Sequence, residues 1–387
     1  MLQAKSQLGI VTMLYTLSRS EIQELKKTKR FYCPTCNEEV IIKAGTQIMP
    51  HFAHRSKVNC PANEGGEGAY HEKGKLLLYH WLNKQGYNVL LEPYISSINQ
   101  RPDILLMINA KKIAIEFQCA RIPIDQVHKR NEGYRKANIS PLWIIGANRF
   151  QRNGKKHLQV DQFTLQFLHQ FNSTHQRYLY YFDPTTNLLI TAQDMYETRK
   201  SKVLSNFRFL KLDQIRFRNI FQYDAFTRVE LMSHWENEKK RFRVQRRIRP
   251  RGKELAWYQW LYAKGQYIDN LPSIIYLPVA SQFLMKSQPW DWQSRLVMEI
   301  LEPLSTGKQF SIGNCSHLLK NHYFPRINYP LFHSIESPIN QYLQLLCHLN
   351  LIKPVSNLQY QKVREIHFYN HLEEAIKGDK QLLYQLI

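Results

Sequence analysis

Residues 101–120, RPDILLMINAKKIAIEFQCA, decide the fold, because they hold two apolar segments joined by a short polar connection. The segments at 101–109 and 112–120 are rich in apolar and β-branched residues, and the connection at 109–111 is Asn-Ala-Lys. Two such segments around a polar turn predict a β-hairpin.

The sequence on both sides of this hairpin predicts a larger unit. Residues 67–85 have the pattern of a helix that ends near Gly86, and YNVLLEPYI at 87–95 has that of a strand. After the hairpin, a second helix is expected at 125–138 and a buried strand, PLWIIGA, at 141–147. The predicted order is therefore αβββαβ.

The hairpin carries the first candidate site residues. Strand alternation places Glu116 and Gln118 on one face of the second arm, and Asp103 begins the first arm. Polar side chains in an otherwise apolar strand are costly to bury without a partner or an ion. Two carboxylates can share Mg²⁺ or Mn²⁺ and support hydrolysis of a phosphodiester. The alternative is a strand-end carboxylate and a salt-bridged residue on an exposed face.

The first predicted helix offers a second alignment. Glu67, His71 and Lys75 are spaced i, i+4 and i+8, so they lie roughly along one side. Glu67 would complete a metal shell, His71 would handle protons, and Lys75 would meet a phosphate oxygen. Glu72 is a rival for the carboxylate role, and a solvated helix edge is the alternative for the whole set.

A group of cysteines and histidines near the start predicts a zinc site. Cys33 and Cys36 form CPTC, His51 and His54 stand in PHFAH, and Cys60 follows. Tetrahedral zinc takes four nitrogen or sulfur ligands, and the best set is Cys33, Cys36, His54 and Cys60, with His51 able to replace His54. Three cysteine ligands favour a structural role for the zinc. Unligated thiols in a polar loop are the alternative.

The composition indicates an anionic partner. Lys and Arg number 53 against 31 Asp and Glu, which gives a formal charge of +22. Nucleic acid is the commonest such partner, and an acidic membrane surface or an acidic protein is the alternative. No stretch approaches the roughly 18 apolar residues of a spanning helix and no signal-peptide order begins the chain, so we expect a cytoplasmic protein without an integral membrane span.

The expected fold class is α/β, of the α+β kind, in four regions. These are an N-terminal zinc-binding lobe at 1–63, a nuclease-type αβββαβ domain at 64–150, a basic helical linker region at 151–253, and a mainly helical C-terminal domain at 254–387. The end of the last region, a helix followed by strand-like segments, suits a winged-helix module.

The run ENEKKRFRVQRRIRPRGK at 236–253 is the densest basic segment and is expected to be a helix ending before Pro250. We expect it to contact DNA, and a solvated helix or linker is the alternative. The candidate DNA-binding residues are Lys239, Lys240, Arg241, Arg243, Arg246 and Arg247.

Together these motifs resemble the competence protein CoiA-like family, whose central domain belongs to the PD-(D/E)XK nuclease superfamily. The resemblance spans about residues 33–146 and rests on CPTC, PHFAH, Cys60, the Glu67, His71 and Lys75 spacing, RPDILL, IEFQCA, KRNEGY and PLWIIG. It implies a restriction-endonuclease-like core and a role in natural transformation, where incoming single-stranded DNA is processed and recombined. The recombinase RecA would then be an indirect partner.

The resemblance also implies roles for particular residues. Asp103 matches the Asp of the PD pair, Glu116 the second acid, and Gln118 the position where the superfamily has Lys. Because Gln carries no positive charge, either the metal alone activates water or Lys75 acts as a migrated lysine.

Two further residues, Arg130 and Tyr134 of KRNEGY, match a family motif and are expected to touch the DNA backbone. The leading hypothesis is a metal-dependent deoxyribonuclease. A DNA-binding recombination mediator that keeps the nuclease fold without turnover is the second hypothesis, and a membrane-surface adaptor is the third.

Overall fold

The computed structural model describes residues 1–45, 50–55, 60, 68–171, 176–245, 249–332 and 336–387, and for Tyr15 the backbone alone. Within these ranges the chain contains three β-sheets and ten α-helices. The mixture of sheets and helices confirms the α+β class.

The N-terminal lobe is built around an antiparallel sheet with strand order β2-β1-β3-β4-β5. A small apolar core, which includes Phe31 and Phe52, fills its inner side. The lobe's elements are β1 (Gln3–Ser6), β2 (Val11–Met13), α1 (Arg19–Thr28), β3 (Phe31–Tyr32), β4 (Glu39–Lys43) and β5 (His51–His54).

The central region has the predicted αβββαβ order. Strands β6, β7 and β8 pair in antiparallel fashion, and β9 returns parallel to β8 after the second helix. Asn109 turns the hairpin between β7 and β8 with a φ of 53°. The elements are α2 (Ala69–Asn83), β6 (Asn88–Leu91), β7 (Ile104–Ile108), β8 (Lys111–Gln118), α3 (Ile124–Lys136) and β9 (Ile139–Gly146).

The next segment corrects the expectation of a helical linker at 151–253. Its strands extend the central sheet, whose order in the described part of the chain is β10-β11-β14-β13-β12-β9-β8-β7-β6. Strand β12 is buried on both faces, so it lacks the polar alternation by which a strand is recognised in a sequence. The elements are β10 (Gln151–Arg152), β11 (His157–Gln159), α4 (Gln162–Leu165), β12 (Tyr178–Asp183), β13 (Leu188–Arg199) and β14 (Lys202–Lys211).

The central sheet is covered on both faces. Leu76 and Leu78 of α2 pack on one face together with Phe117, and Val127 of α3 packs on the other with Trp143. Helix α2 approaches β8 so closely at Gly74 that an added Cβ would overlap the Phe117 ring. This glycine therefore sets the distance between α2 and the strand that carries Glu116.

The C-terminal region is mainly helical, as expected. It includes a small antiparallel sheet of order β15-β17-β16, and α9 precedes β16 and β17 as a helix followed by two strands. The winged-helix assignment stays a prediction. The elements are α5 (Arg228–Val244), α6 (Lys253–Ala263), α7 (Pro289–Leu296), β15 (Gln309–Ser311), α8 (Ile312–Leu318), α9 (Pro338–His348), β16 (Ile352–Ser356), β17 (Gln359–Lys362) and α10 (Leu372–Gln385).

Across the described ranges, no helix is both long enough and apolar enough to cross a bilayer.

Candidate active site and metal centre

The predicted zinc ligands lie together in the N-terminal lobe. The ligand atoms of Cys33, Cys36, His54 and Cys60 are all within 4.8 Å of one another. The Cys33 and Cys60 Sγ atoms are 3.9 Å apart, and Cys36 Sγ is 3.2 Å from His54 Nε2. Because a Zn–S bond measures about 2.3 Å, two sulfurs of a tetrahedral site lie about 3.8 Å apart. The set is therefore suited to a metal ion such as zinc.

His54, not His51, belongs to this set. Both residues are in β5, where neighbours three positions apart face opposite sides of the sheet. Phe52, two positions before His54, is buried in the lobe's core. Strand parity thus removes the choice between the two histidines that the sequence left open.

The lobe also adjusts the protonation of the ligands. Burial acts to raise the pKa of Cys33, but hydrogen bonds from the backbone amides of Cys36 and Thr35 outweigh it, so the pKa of this thiol is lowered. Burial, with the nearby charge of Arg101, lowers the pKa of His54 and favours the neutral imidazole that a metal requires. Burial raises the pKa of Cys36, so binding of a metal there must release a proton.

A second site surrounds Lys75, which is fully buried on α2. Its Nζ atom forms an ion pair with Glu92, lies 3.5 Å from Glu72 Oε2 and lies 3.7 Å from Asp103 Oδ1. His71 Nε2 is 3.4 Å from Asp103 Oδ2. The structure therefore brings together three of the predicted site residues, His71, Lys75 and Asp103.

The local fold explains why these residues meet. His71 and Lys75 are four residues apart on α2 and share one face of it. The His71 ring stacks on Phe117 of β8 with ring centroids 5.6 Å apart. Asp103 directly precedes β7, and its Oδ2 accepts a hydrogen bond of 2.9 Å from the backbone amide of Phe117. The carboxylate is thus fixed between two strands and α2.

Glu92 is a site residue that the sequence analysis missed. It follows β6 with a φ of 47°, a conformation that is uncommon for a residue with a side chain, and it is almost fully buried. Its carboxylate pairs with Lys75 and accepts a hydrogen bond of 3.0 Å from the amide of Leu2. The cost of burying a charge after an apolar strand, the argument used for Glu116, would have found it.

Glu116 is held by the other helix. Its buried carboxylate accepts hydrogen bonds from Arg130 and from the Tyr134 hydroxyl, which lie one turn apart on α3. The same Arg130 nitrogen donates to the Arg101 carbonyl at 3.1 Å. Arg130 and Tyr134 are themselves buried. The expectation that they touch the DNA backbone is corrected accordingly, because both face Glu116.

Sheet register relates the two carboxylates. Ile104 of β7 pairs with Ile115 of β8. Continuing this register by one residue brings Asp103, which directly precedes β7, next to Glu116. The Asp103 carboxylate contacts His71 and Lys75 of α2, whereas the Glu116 carboxylate contacts Arg130 and Tyr134 of α3. The amide of Glu92 donates to the Asp103 carbonyl at 2.8 Å, so the ladder between β6 and β7 still holds at this position.

Two other predicted site residues have different outcomes. Gln118 ends β8, and its Nε2 donates to the Ala120 carbonyl at 2.8 Å. It supplies no positive charge, whereas Lys75 lies beside Asp103. Glu67 lies outside the described residues.

Lys239 and Arg243 do not form a DNA-facing surface. Both are buried on α5. Lys239 Nζ donates to the carbonyl of Ser273 at 2.8 Å, and Arg243 makes two hydrogen bonds of 2.9 Å to Asp379 of α10. Burial lowers the pKa of Lys239 to about 8, although Asp379 opposes the shift. These two basic residues join α5 to its neighbours, which corrects the expectation for them.

The rest of the basic run has a different environment. Lys240 and Arg241 are exposed on α5, and Arg241 pairs with Glu238 at 2.7 Å. Arg246 and Arg247 lie outside the described residues. The DNA-binding expectation for Lys240 and Arg241 stays a prediction.

The fold and the site define a class: an α/β domain of nuclease-like layout that carries a lobe with a three-cysteine, one-histidine metal set. The family described as competence protein CoiA, nuclease-like domain, matches residues 67–225, a range that includes β12 to β14. The corresponding N-terminal and C-terminal domains match residues 14–63 and 231–376.

A curated relative agrees with these matches. Competence protein CoiA of Bacillus subtilis (strain 168) is 32% identical over 288 residues, which cover 74% of this chain and 76% of that protein. The chain belongs to the competence protein CoiA family. No solved structure matches it.

Proposed function

We propose that the protein is a divalent-metal-dependent deoxyribonuclease of natural transformation, which hydrolyses phosphodiester bonds of incoming or recombining DNA. One observation carries the proposal: Asp103, at the end of the β7–β8 ladder that carries Glu116, lies beside the buried Lys75. The family's nuclease-like domain over residues 67–225 supports it.

Asp103 and Glu116 are the residues that would hold Mg²⁺ or Mn²⁺, since hard cations prefer carboxylate oxygens. The bound ion would act as a Lewis acid and lower the pKa of a coordinated water. His71 would move a proton at its Nε2 atom, which lies 3.4 Å from Asp103 Oδ2. In this way the protein residues supply the ligands and the proton transfer.

Lys75 takes the part that Lys plays in the superfamily motif, because Gln118 stands at the motif position and carries no charge. Glu72 and Glu92 hold its ammonium group beside Asp103. Charge of this kind stabilises developing negative charge on a phosphoryl oxygen. Glu92 is a positioning residue in this scheme, since it acts through Lys75.

The metal in the N-terminal lobe is proposed to be structural Zn²⁺. Three cysteines and one histidine fill a tetrahedral coordination sphere and leave no open position for a substrate. We further propose that the protein acts in the cytoplasm on single-stranded or branched DNA, with RecA as an indirect partner. The net charge of +22 supports DNA as the ligand.

The test is cleavage of labelled single-stranded, duplex and branched DNA with Mg²⁺ or Mn²⁺. Asp103→Asn and Glu116→Gln are each expected to lower the cutting rate about a hundredfold or more, because each removes a charged ligand. Glu132→Gln, which changes an exposed carboxylate of α3, is the matched control and should cut normally. Cutting that survives both site substitutions contradicts the proposal.

A second candidate is a recombination mediator that binds DNA without turnover, favoured by Gln118 at the motif lysine position. It predicts tight DNA binding with no cutting of any of the three substrates, whichever metal is added.

A further inference from the structure

An aromatic surface lies at the end of the central sheet, outside the proposed catalytic residues. Phe207 and Phe209 are two residues apart on β14 and share one face of it. Phe150, which directly precedes β10, packs edge-to-face against both rings, with centroids 5.6 Å from Phe207 and 6.1 Å from Phe209. These three rings and Arg152 are named the Phe209 surface.

The Phe209 surface packs against the protein core on one side and is exposed to solvent on the other. Phe150 packs against the buried ring of Tyr181 at 5.2 Å, so its orientation is set by the core. Phe209 is 44% exposed, although burial of a phenylalanine ring is normally favourable. The Arg152 guanidinium stands 5.3 Å from the Phe209 ring centroid. The result is a row of packed rings with an exposed edge at Phe209 and a cation beside it.

The charge around this surface is positive. Lys211 is exposed and shares the face of β14 that carries Phe207 and Phe209. Further basic residues lie in the segment that contains Phe150 and β10, namely Arg149, Arg152 and Lys155, whereas Lys156 contacts Asn206 and the Phe226 ring. An aromatic platform within a basic surface complements a polyanion that has planar groups, which describes a nucleic acid with unpaired bases.

The position of the surface relates it to the catalytic strands. Strands β8 and β9 are parallel, so their carboxyl ends meet at one edge of the sheet. Arg149, just after β9, donates a hydrogen bond of 3.0 Å from Nε to the carbonyl of Cys119, just after β8. Phe150 directly follows this edge, and the rings of Phe207 and Phe209 lie on β14, four strands from β8 in the sheet order.

We propose that the Phe209 surface is a base-stacking site for single-stranded nucleic acid, on the same sheet as the carboxylates. In a duplex the faces of the bases are stacked on one another, so this surface selects strands whose bases are unpaired. The inference rests on the proposed DNA substrate but not on hydrolysis.

Binding is measured by fluorescence anisotropy, with the full-length protein and no added Mg²⁺ or Mn²⁺. The probes are a 20-mer of thymidine, a 20-mer of abasic sites with the same phosphates, and a 20-base-pair duplex. Phe209→Ala is expected to weaken binding of the thymidine 20-mer about tenfold, as loss of one stacked base predicts. Binding of the abasic strand and of the duplex should change less than twofold.

Four further variants separate stacking from other effects. Phe209→Trp should restore binding of the thymidine strand, and Phe209→Leu, which keeps apolar volume, should not. Tyr262→Ala removes a ring of α6 that is 70% exposed, and it should bind like the wild type. Arg152→Gln should reduce the slope of log K against log salt by about 0.7, whereas Phe209→Ala should leave that slope unchanged.

The inference is overturned if Phe209→Ala weakens binding of all three probes equally or weakens binding of none of them. It is also overturned if the only effect of the substitution is to dissociate a dimer in sedimentation. If Phe209→Ala selectively weakens binding of the thymidine strand while the wild type cuts no DNA, the stacking site is supported and the nuclease proposal is contradicted. The two failures are therefore distinguishable.

Discussion

At the scale of single residues, Lys75 shows how charge is kept inside this domain. Its ammonium group is fully buried and contacts Glu72, Glu92 and Asp103. Removing one partner of a buried ion pair costs about 3–5 kcal/mol, because it leaves the other charge uncompensated. We expect Lys75→Met to lower the free energy of unfolding by that amount and to abolish cutting.

A double-mutant cycle with Glu92→Gln separates stability from catalysis. The double variant Lys75→Met, Glu92→Gln should lose less free energy of unfolding than the two single variants lose together, by about 1 kcal/mol or more. It should nevertheless remain inactive. Urea unfolding gives the stabilities. Losses that simply add within about 0.5 kcal/mol would show that the two side chains do not act as a pair.

His169 makes a separate prediction about pH. Its Nε2 accepts a hydrogen bond of 3.0 Å from the backbone amide of Trp143, and burial lowers the pKa of His169 to about 3. Between the ordinary value of 6.5 and this value, the unfolded chain binds a proton that the folded chain does not, so stability falls as pH falls. From pH 7 to pH 5 this linkage costs about 2 kcal/mol.

His169→Gln keeps a hydrogen-bond acceptor but cannot be protonated. The variant should therefore lose about 2 kcal/mol less than the wild type over the same pH range in urea unfolding. Equal acid sensitivity in both proteins would show that His169 is not buried in its neutral form.

What a sequence reveals about single residues depends on whether they form a pattern. The CPTC spacing indicated the metal set, and strand parity would have selected His54. Glu92 is a lone acid at the end of a strand and matches no spacing rule. Arg130 and Tyr134 were singled out by their motif as contacts to the DNA backbone, but only the packing of α3 shows that they face Glu116.

At the scale of elements, the contact between α2 and β8 controls the site. Gly74 faces the Phe117 ring, and a methyl group there would overlap it. Gly74→Ala is expected to push α2 outward, to cost about 1–3 kcal/mol of stability, and to lower cutting because His71 and Lys75 move away from Asp103.

Gly313 of α8 provides the matched control, since its added Cβ would make only an ordinary contact with the Ser311 side chain. Gly313→Ala should leave activity unchanged and raise stability slightly. Thermal unfolding and a cutting assay test both variants. Full activity in Gly74→Ala would contradict the role given to this contact.

The elements of the αβββαβ unit could be predicted because the sequence of each one has a recognisable periodicity or is bounded by a turn. Strand β12 could not, because burial on both faces removes its alternation, and the aromatic residues of β14 were read as part of a helical segment. Sheet extension beyond β9 thus had to come from tertiary packing.

At the scale of the whole molecule, the metal lobe and the nuclease-like domain are physically joined. Leu2 is buried in the core that α2 and β8 share, and Gln3 donates hydrogen bonds to the carbonyls of Leu91 and Glu92 at 2.8 and 3.0 Å. Structural zinc supplies about 10–16 kcal/mol toward folding of a small module. Loss of the metal should therefore loosen the lobe and, through Leu2, the surroundings of Glu92.

Cys36→Ser is expected to abolish binding of about one zinc ion per chain, measured by mass spectrometry of the metal. Hydrogen exchange should accelerate in β1 and β5, and at the amide of Leu2, which donates a hydrogen bond to Glu92. Cys347→Ser, at a partly buried thiol outside the metal set, is the control. Unchanged exchange in a zinc-free variant would contradict the structural role.

The central claim is that Asp103 and Glu116 share a divalent cation. The most direct measurement is a crystal structure of the protein with Mn²⁺, read by anomalous scattering. We predict a peak that is coordinated by carboxylate oxygens of both residues in the wild type and is lost in Glu116→Gln. Absence of that peak at a Mn²⁺ concentration that supports cutting, or a peak held elsewhere in the domain, would contradict the account.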